Sequence, residues 1–512
     1  MPDRRAFLRR ALALAWAGFA LPGCAPAITR PRFRSYPFTL GVASGSPTAS
    51  GVVLWTRLAP EPLAGGGLDP GDIEVRWEVA EDERFSRIVR QGAAVASAAR
   101  AHAVHVEAEG LAPARAYHFR FLAGGEASAV GRTRTAPAAG APGGRLRLAL
   151  ASCQHWEHGY YAAHRHLAAE APDLVAFVGD YIYEGNGKAN RVRDHHIPEP
   201  RTLAAYRDRY AQYKSDPDLQ AAHACAPWIA TWDDHEVDND YANDRSQDLD
   251  PAFLARRAAA YRAFLEHQPL RPGVQRPDGE FRLYGTHAWG GLASLHVLDD
   301  RQYRAWQACP PPGRGGSRTV GSECEERTRP GRTMLGEAQE RWLDGALRSS
   351  RARWNLLVQQ TLMANAGRPA AGGVQHWTDG WDGYPWARER LFGSLQESGA
   401  ANPVVLGGDV HAHYAANLHA QPGDAGSPVI AAEFCGTSIS SRGLGMKAVN
   451  AIREANPPIR FADSARRGYV LLDLGPDRLD AHLRVVDDAR RRDAALSTAA
   501  SFSVVAGTPG IA

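Results

Sequence analysis

The chain has 512 residues, of which 44% are hydrophobic and 22% charged. That is enough apolar material for a large buried core in two or three domains, and it excludes wholesale disorder. Lys and Arg number 59 against 56 Asp and Glu, a net charge of +3, which gives no electrostatic footing for nucleic-acid binding.

The N-terminus reads as an export signal. Arg4-Arg5-Ala6-Phe7-Leu8-Arg9 precedes a short apolar run from Ala11 to Leu21, too short to span a bilayer. The paired arginines before Phe-Leu are similar to a twin-arginine signal, so residues 1–27 are expected to address the chain to the twin-arginine export machinery. The mature protein is then expected in the periplasm or outside the cell. Leu21-Pro22-Gly23-Cys24 offers a lipoprotein box, and Ala25-Pro26-Ala27 offers an ordinary cleavage site. A lipid anchor through Cys24 and soluble release both stay open, with release preferred.

Residues 35–137 are expected to form an all-β, fibronectin III-like sandwich. Short alternating segments such as Val52 to Thr56, Ile73 to Trp77 and Tyr117 to Phe121 are punctuated by Gly, Pro and Asp. Ala136 to Gly144 is rich in Ala, Pro and Gly and reads as a linker. From 145 to 505 the style becomes α/β. Leu146 to Ala151, Leu174 to Gly179, Leu292 to Leu298, Trp354 to Gln360 and Val404 to Gly408 are apolar runs of strands buried on both faces. Tyr160 to Glu170, Leu203 to Tyr213, Phe253 to Glu266, Gly336 to Ser349 and Trp386 to Glu397 carry apolar residues at helical spacing. Alternation of the two makes a layered α/β domain. Among six cysteines, Cys309 and Cys324 bracket a Pro/Gly/Ser-rich loop and are the best candidate pair for a disulfide.

Reactive residues gather at the ends of the buried runs. One ends Ala151-Ser152-Cys153, another Gly179-Asp180-Tyr181-Ile182-Tyr183-Glu184, and the last Gly408-Asp409-Val410-His411-Ala412-His413. A fourth motif, Trp232-Asp233-Asp234-His235-Glu236-Val237-Asp238-Asn239-Asp240, follows the weak apolar run Pro227 to Ala230. Ligand sites of open α/β folds lie beyond the carboxyl ends of strands. Thiolate, phenolate and imidazole favour a transition metal, iron or zinc, whereas carboxylates alone favour calcium, magnesium or manganese. Both sets are present, and Asp180 can bridge two ions. Taken singly, Cys153 reads as a small buried hydrophobe and Asp180 as a turn residue; Tyr183, three residues after Asp180, turns the balance. His413 is open between a supporting and a loop role, and His195-His196 and His164-x-His166 read as surface or core histidines.

The motif set resembles the PhoD-type alkaline phosphatases of the metallophosphatase superfamily. Gly179-Asp180-x-x-Tyr183 is similar to the motif of purple acid phosphatases. Asp234-His235-Glu236 and Gly408-Asp409-Val410-His411 stand where metallophosphatases usually read Asn-His-Glu and Gly-His-x-His. Asp300-Arg301-Gln302-Tyr303-Arg304 and Asp379-Gly380-Trp381-Asp382-Gly383-Tyr384 extend the likeness, which runs from about Phe38 to Leu483.

The resemblance implies a four-layer α/β/β/α metallophosphatase domain after the sandwich. It also implies ferric iron on Cys153, Asp180, Tyr183 and His411. Calcium would sit on Asp180, Asp234 and Asp409, with Asp233 or Asn239 contributing, and other divalent ions stay open. A hydroxide held by metal would attack phosphorus in line with the departing alkoxide, and His235 would assist the leaving group. Arg301 or Arg304 would clamp phosphate, Arg301 being preferred, although an ion-pair role suits Arg301 equally. The expected substrates are small phosphate esters and the expected state is a monomer. A phosphodiesterase or phospholipase D-like enzyme with the same metals is the alternative, followed by a non-catalytic metal-binding envelope protein.

Overall fold

The structure, a computed structural model, describes residues 32–141, 144–187, 189–276 and 281–512. The expected signal at 1–27, with Cys24, lies outside the described residues.

Two mixed sheets stack face to face. The larger has nine strands, in the order Leu496–Val505, Arg478–Val486, Arg467–Leu474, Leu146–Ala151, Leu174–Val178, Pro227–Thr231, Val42–Gly45, Gly51–Arg57 and Ala103–Glu109. The smaller has seven: Gly285–Trp289, Ala293–Val297, Trp354–Val358, Pro403–Gly407, Val429–Cys435, His413–His419 and Ile459–Asp463.

The apolar runs are continuous because both faces of each central strand are covered. Leu146, Leu148 and Leu150 point into the space between the sheets, where they meet Leu295, Leu356 and Leu406. Ala149, Val175 and Phe177 point the other way, onto helices Ala162–Ala169, Leu203–Lys214, Pro217–Cys225 and Phe253–His267. Behind the second sheet, Leu357 and Val405 meet helices Glu337–Ser349, Pro385–Ser398 and Met446–Ala455. The order of layers is therefore α/β/β/α, as the resemblance implies.

Helix ends follow local chemistry. Asp216 Oδ1 caps Pro217–Cys225 by accepting from the backbone N–H of Asp218 at 2.9 Å, with proline at the first turn. Pro385–Ser398 stops at Gly399, whose φ of 67° an L-residue rarely adopts.

The N-terminal region is all-β and two-sheeted, but one of its sheets is not its own. Ile73–Ala80, Ile88–Ala96, Ala116–Ala123, Glu126–Ala127 and Gly131–Arg134 make a separate small sheet. It packs on Val42–Gly45, Gly51–Arg57 and Ala103–Glu109 through Val75, Phe119, Val52, Leu54 and Val106. Those three strands continue the nine-stranded sheet, since Ser44 and Gly45 pair in parallel with Pro227 and Trp228. The sheet thus crosses the division drawn at the Ala136 to Gly144 linker. Alternating segments reveal a strand but not which sheet it joins.

The predicted strands and helices of the α/β region are present within two residues at each end. Sequence reading did not single out helices Pro217–Cys225 and Met446–Ala455, nor the strands that follow Pro403–Gly407. Cys309 and Cys324 are joined in a disulfide, and Cys153, Cys225 and Cys435 are free.

Candidate metal centre

The carboxyl ends of Leu146–Ala151, Leu174–Val178, Pro227–Thr231 and Pro403–Gly407 bring Cys153, Asp180, Asp233, Asp234 and Asp409 together. Each strand turns abruptly. Cys153, Asp180, Asp409 and His411 all have positive φ, from 53° to 63°, a conformation that costs a non-glycine residue on the order of 1–3 kcal/mol. The turns fold the side chains back toward a common centre instead of along the strand axes.

Three groups of ligand atoms each lie within 4.8 Å of one another: Cys153 with Asp180 and His411, Asp180 with Asp234 and His235, and Asp233 with Asp234 and Asp409. Asp180 belongs to the first two groups and Asp234 to the last two. Tyr183 joins the first, donating from Oη to Asp180 Oδ2 at 2.7 Å and standing 3.0 Å from His411 Nε2. His411 turns Nδ1 to the carbonyl of Arg442 at 2.7 Å, which leaves Nε2 facing the cluster. Ser441 Oγ, 2.8 Å from Tyr183 Oη, also fixes the phenol.

Asn239, by contrast, points its side-chain amide at Gln247 Oε1, 3.1 Å away, and donates its backbone N–H to Glu184 at 2.8 Å. His235 Nδ1 meets Glu184 Oε2 at 2.7 Å and its ring lies 4.1 Å from that of Tyr183. Arg301 is 2% exposed and surrounded by acids: Nε to Asp233 Oδ1 at 2.5 Å, Nη1 to Asp379 Oδ2 at 2.7 Å and Nη2 to Asp234 Oδ1 at 3.6 Å. Arg304 is buried against Asp379 at 3.2 Å. Arg301 is thus an ion-pair partner of the cluster, and Arg304 of Asp379 beside it. His413 is buried between the backbones of Thr437 and Arg484, and His164 against Gln154 Oε1 at 2.7 Å.

Four supporting residues escaped sequence reading, Ser441 among them. Glu236 stitches two strand ends, accepting from the N–H of Asp180 at 3.1 Å, of Tyr181 at 2.6 Å and of Asp233 at 2.8 Å. Thr361 Oγ1 donates to Asp409 Oδ2 at 2.6 Å, and Asp379 balances Arg301. Glu236 and Asp379 lie inside quoted motifs, so a signal existed; Thr361 had none.

The electrostatics favour bound cations. Asp180 Oδ1, Asp233 Oδ2 and Asp234 Oδ1 are buried without a hydrogen-bond partner, and Arg301 pairs with Asp233 and Asp234 but not with Asp180. Burial pushes the Asp409 carboxyl well up, with Arg301 opposing. Burial and then Asp180 push up both the Cys153 thiol and the Tyr183 phenol. For Asp234, burial works upward but Arg301 and His235 outweigh it and hold the carboxyl below its usual range. For His235, burial works downward, but Glu184, Asp180 and Asp234 together hold it well above an ordinary histidine. Buried acids at this density are paired or bind metal. The donor chemistry fits: sulfur, phenol and imidazole on one side suit a transition metal, and carboxylates on the other suit a hard cation.

A four-layer sandwich with this ligand cluster at its strand ends defines a metallophosphatase. The sequence matches the PhoD-like phosphatase family over residues 148–483 and that family's N-terminal domain over residues 23–137. It is 45% identical to alkaline phosphatase D of Bacillus subtilis (strain 168), over 98% of this chain and 87% of that protein. A solved structure of PhoD superposes with a TM-score of 0.89 at 46% identity, over 94% of this chain and 93% of that one. The chain belongs to the PhoD-like phosphatase family, and is an enzyme of the alkaline phosphatase D type.

Proposed function

We propose that the protein hydrolyses phosphate monoesters with iron and calcium bound at this centre, as an exported enzyme. The carrying observation is the set of buried, unpartnered carboxylate oxygens on Asp180, Asp233 and Asp234 beside Cys153, Tyr183 and His411. Iron would be held by Cys153, Asp180, Tyr183 and His411, and calcium by Asp180, Asp234 and Asp409, with Asp233 at its edge. Bound there, the cations supply Lewis-acid charge to the attacking water and to the phosphoryl oxygens.

The protein's own residues do the rest. His235, kept protonated by Glu184, gives its proton to the departing alkoxide oxygen. Ser441 and Thr361 hold Tyr183 and Asp409 in register. Arg301 offsets part of the carboxylate charge and so positions Asp233 and Asp234 rather than gripping substrate. Water is the nucleophile, and no side chain forms a covalent intermediate. Asn239, turned to Gln247, steadies Glu184 through its backbone.

Export by the twin-arginine route, from Arg4-Arg5-Ala6-Phe7-Leu8, would let the chain load metal before it crosses the membrane. Substituting both arginines by lysine is expected to retain the protein in the cytoplasm.

The decisive experiment is elemental analysis of the purified protein with turnover of 4-nitrophenyl phosphate and bis-4-nitrophenyl phosphate. Iron plus calcium, with monoester turnover lost in Cys153→Ala, supports the proposal. Dominant diester turnover would replace it with a phosphodiesterase, and a protein inactive on both after reconstitution would end the catalytic reading.

A further inference from the structure

Beside the metal cluster lies a recess that the reading above does not use. Leu362, Trp377, Trp381, Val410 and Leu444 give it apolar walls, and Arg368 stands in its lining. Two lining residues link it to the cluster. Val410 sits between Asp409 and His411, and Thr361, also in the lining, is the residue hydrogen-bonded to Asp409. One side is formed by the hairpin of Arg368–Ala370 and Gly373–Trp377, the other by Leu444, 41% exposed, ahead of helix Met446–Ala455.

Two features select an occupant. The first is size and polarity. The recess offers about 50 Å³, a third of the ~150 Å³ of an apolar cavity that accepts benzene, so it suits a short aliphatic chain better than a ring. The second is Arg368. It is half-buried, yet its guanidinium makes no hydrogen bond, ion pair or ring contact with any described residue. The carboxylate in the lining, Asp382, is committed to Arg388 at 2.7 Å. Arg301 and Arg304, by contrast, are paired with Asp379. A partly exposed guanidinium with no partner among the described residues, at the edge of an apolar recess, is free to take an anion carried by a ligand.

We infer that the recess seats the alcohol part of the substrate, and that the favoured substrates are phosphate esters of short aliphatic alcohols ending in an anionic group. The phosphoryl group lies at the cluster, the chain crosses Val410, Trp381 and Leu444, and the terminal carboxylate or phosphate meets Arg368. The inference rests on the phosphohydrolase reading of the cluster and deepens it.

The test uses the full, metal-loaded protein and release of inorganic phosphate from butyl phosphate, 4-phosphooxybutanoate and butane-1,4-diyl bisphosphate, with 4-nitrophenyl phosphate as reference. Because a charged hydrogen bond is stronger than a neutral one, the anion-ended substrates are expected to exceed butyl phosphate in kcat/KM by roughly tenfold or more, mainly through KM. The better of the two identifies the terminal group. Arg368→Gln should bring the kcat/KM ratio of anion-ended ester to butyl phosphate down to about one, and Leu444→Ser should raise KM for all three aliphatic esters. Binding of 4-phosphonobutanoate, read by emission of Trp377 and Trp381, should weaken in Arg368→Gln without any turnover being required. Equal kcat/KM for the three aliphatic esters while 4-nitrophenyl phosphate turns over would overturn the inference alone. Failure to hydrolyse any of the four esters would overturn the phosphomonoesterase reading, and the inference with it.

Discussion

Arg301 decides whether the acids of the centre can stay buried together. Its guanidinium touches Asp233, Asp234 and Asp379, all within the interior. Removing one side of a buried charge pair costs about 3–5 kcal/mol, because the other side is left without a counter-charge. Arg301→Ala should therefore lower the melting temperature of the metal-free protein sharply, and saturating calcium should recover part of the loss. A residue that only gripped substrate would instead raise KM at unchanged stability, so calorimetry with and without calcium separates the two roles. Glu433 behaves in the opposite sense to an ion-paired acid. Burial lifts its pKa from 4.5 to about 7, while the backbone N–H groups of Met363 and Ala364 pull it down. A carboxyl raised on folding stabilises the fold fully below the unfolded pKa, and the contribution fades as pH rises through the folded one. About 3 kcal/mol should accordingly be lost between pH 4.5 and 7. Glu433→Gln should flatten that part of the melting-temperature profile; an unchanged slope would show that another group sets it.

At the scale of single elements, the strands carrying the ligands were the most legible part of the chain. A strand covered on both faces must be apolar at every position, and Leu174–Val178 and Pro403–Gly407 are. The residues after them stood out as Cys153, Asp180 and Asp409 because nothing apolar would tolerate acids there without a purpose. What the sequence withheld was the turn itself. Four candidate ligands in left-handed backbone conformations follow no residue-type rule, since cysteine has no preference for that region. Nor did a pattern announce Ser441 and Thr361, which reach the site from distant loops. Strands such as Arg478–Val486 alternate in burial and were readable in principle; helix Leu203–Lys214 buries charged and polar groups with its tyrosines, so its buried face is blurred. The turn at the second strand gives the sharpest test. Gly179 has φ of 104°, and a Cβ there would lie 2.4 Å from Asp233 Cβ and 2.6 Å from its backbone nitrogen. Gly179→Ala combines backbone strain with overpacking, about 2–5 kcal/mol together. It should also push Asp233 from Arg301, so the content of whatever metal the centre binds should fall along with stability. Full metal content at wild-type melting temperature would mean that the strand end yields more easily than its contacts indicate.

In the whole molecule, the continuous nine-stranded sheet makes the N-terminal region part of the catalytic core. A sequence reading divides chains at linkers, and the Ala/Pro/Gly-rich stretch near residue 140 is a fair one; but pairing between strands more than 180 residues apart, such as Ser44 with Pro227, leaves no local trace. The junction is also chemically specific. Trp55 is fully buried and donates its indole N–H to the carbonyl of Glu266 at 2.9 Å. Arg57 lies 2.9 Å from His267 Nε2, and Lys214 Nζ sits 4.1 Å over the Trp55 ring. A chain beginning at residue 145 would lose the three strands that cover Pro227–Thr231, uncover an edge in the middle of the sheet, and leave Lys214 and His267 facing a void. Exposed edges of that length invite association, and the strand uncovered leads straight into Asp233 and Asp234. The fragment 145–512 is therefore expected to aggregate, or to remain soluble without a cooperative thermal transition and without bound metal. Supplying residues 32–141 as a separate chain should rescue soluble yield, because the missing strands can pair in trans. Circular dichroism melts and metal content of the fragment alone and of the pair give the answer. A fragment that melts cooperatively and holds its metals unaided would show the catalytic sheet to be complete without its N-terminal strands.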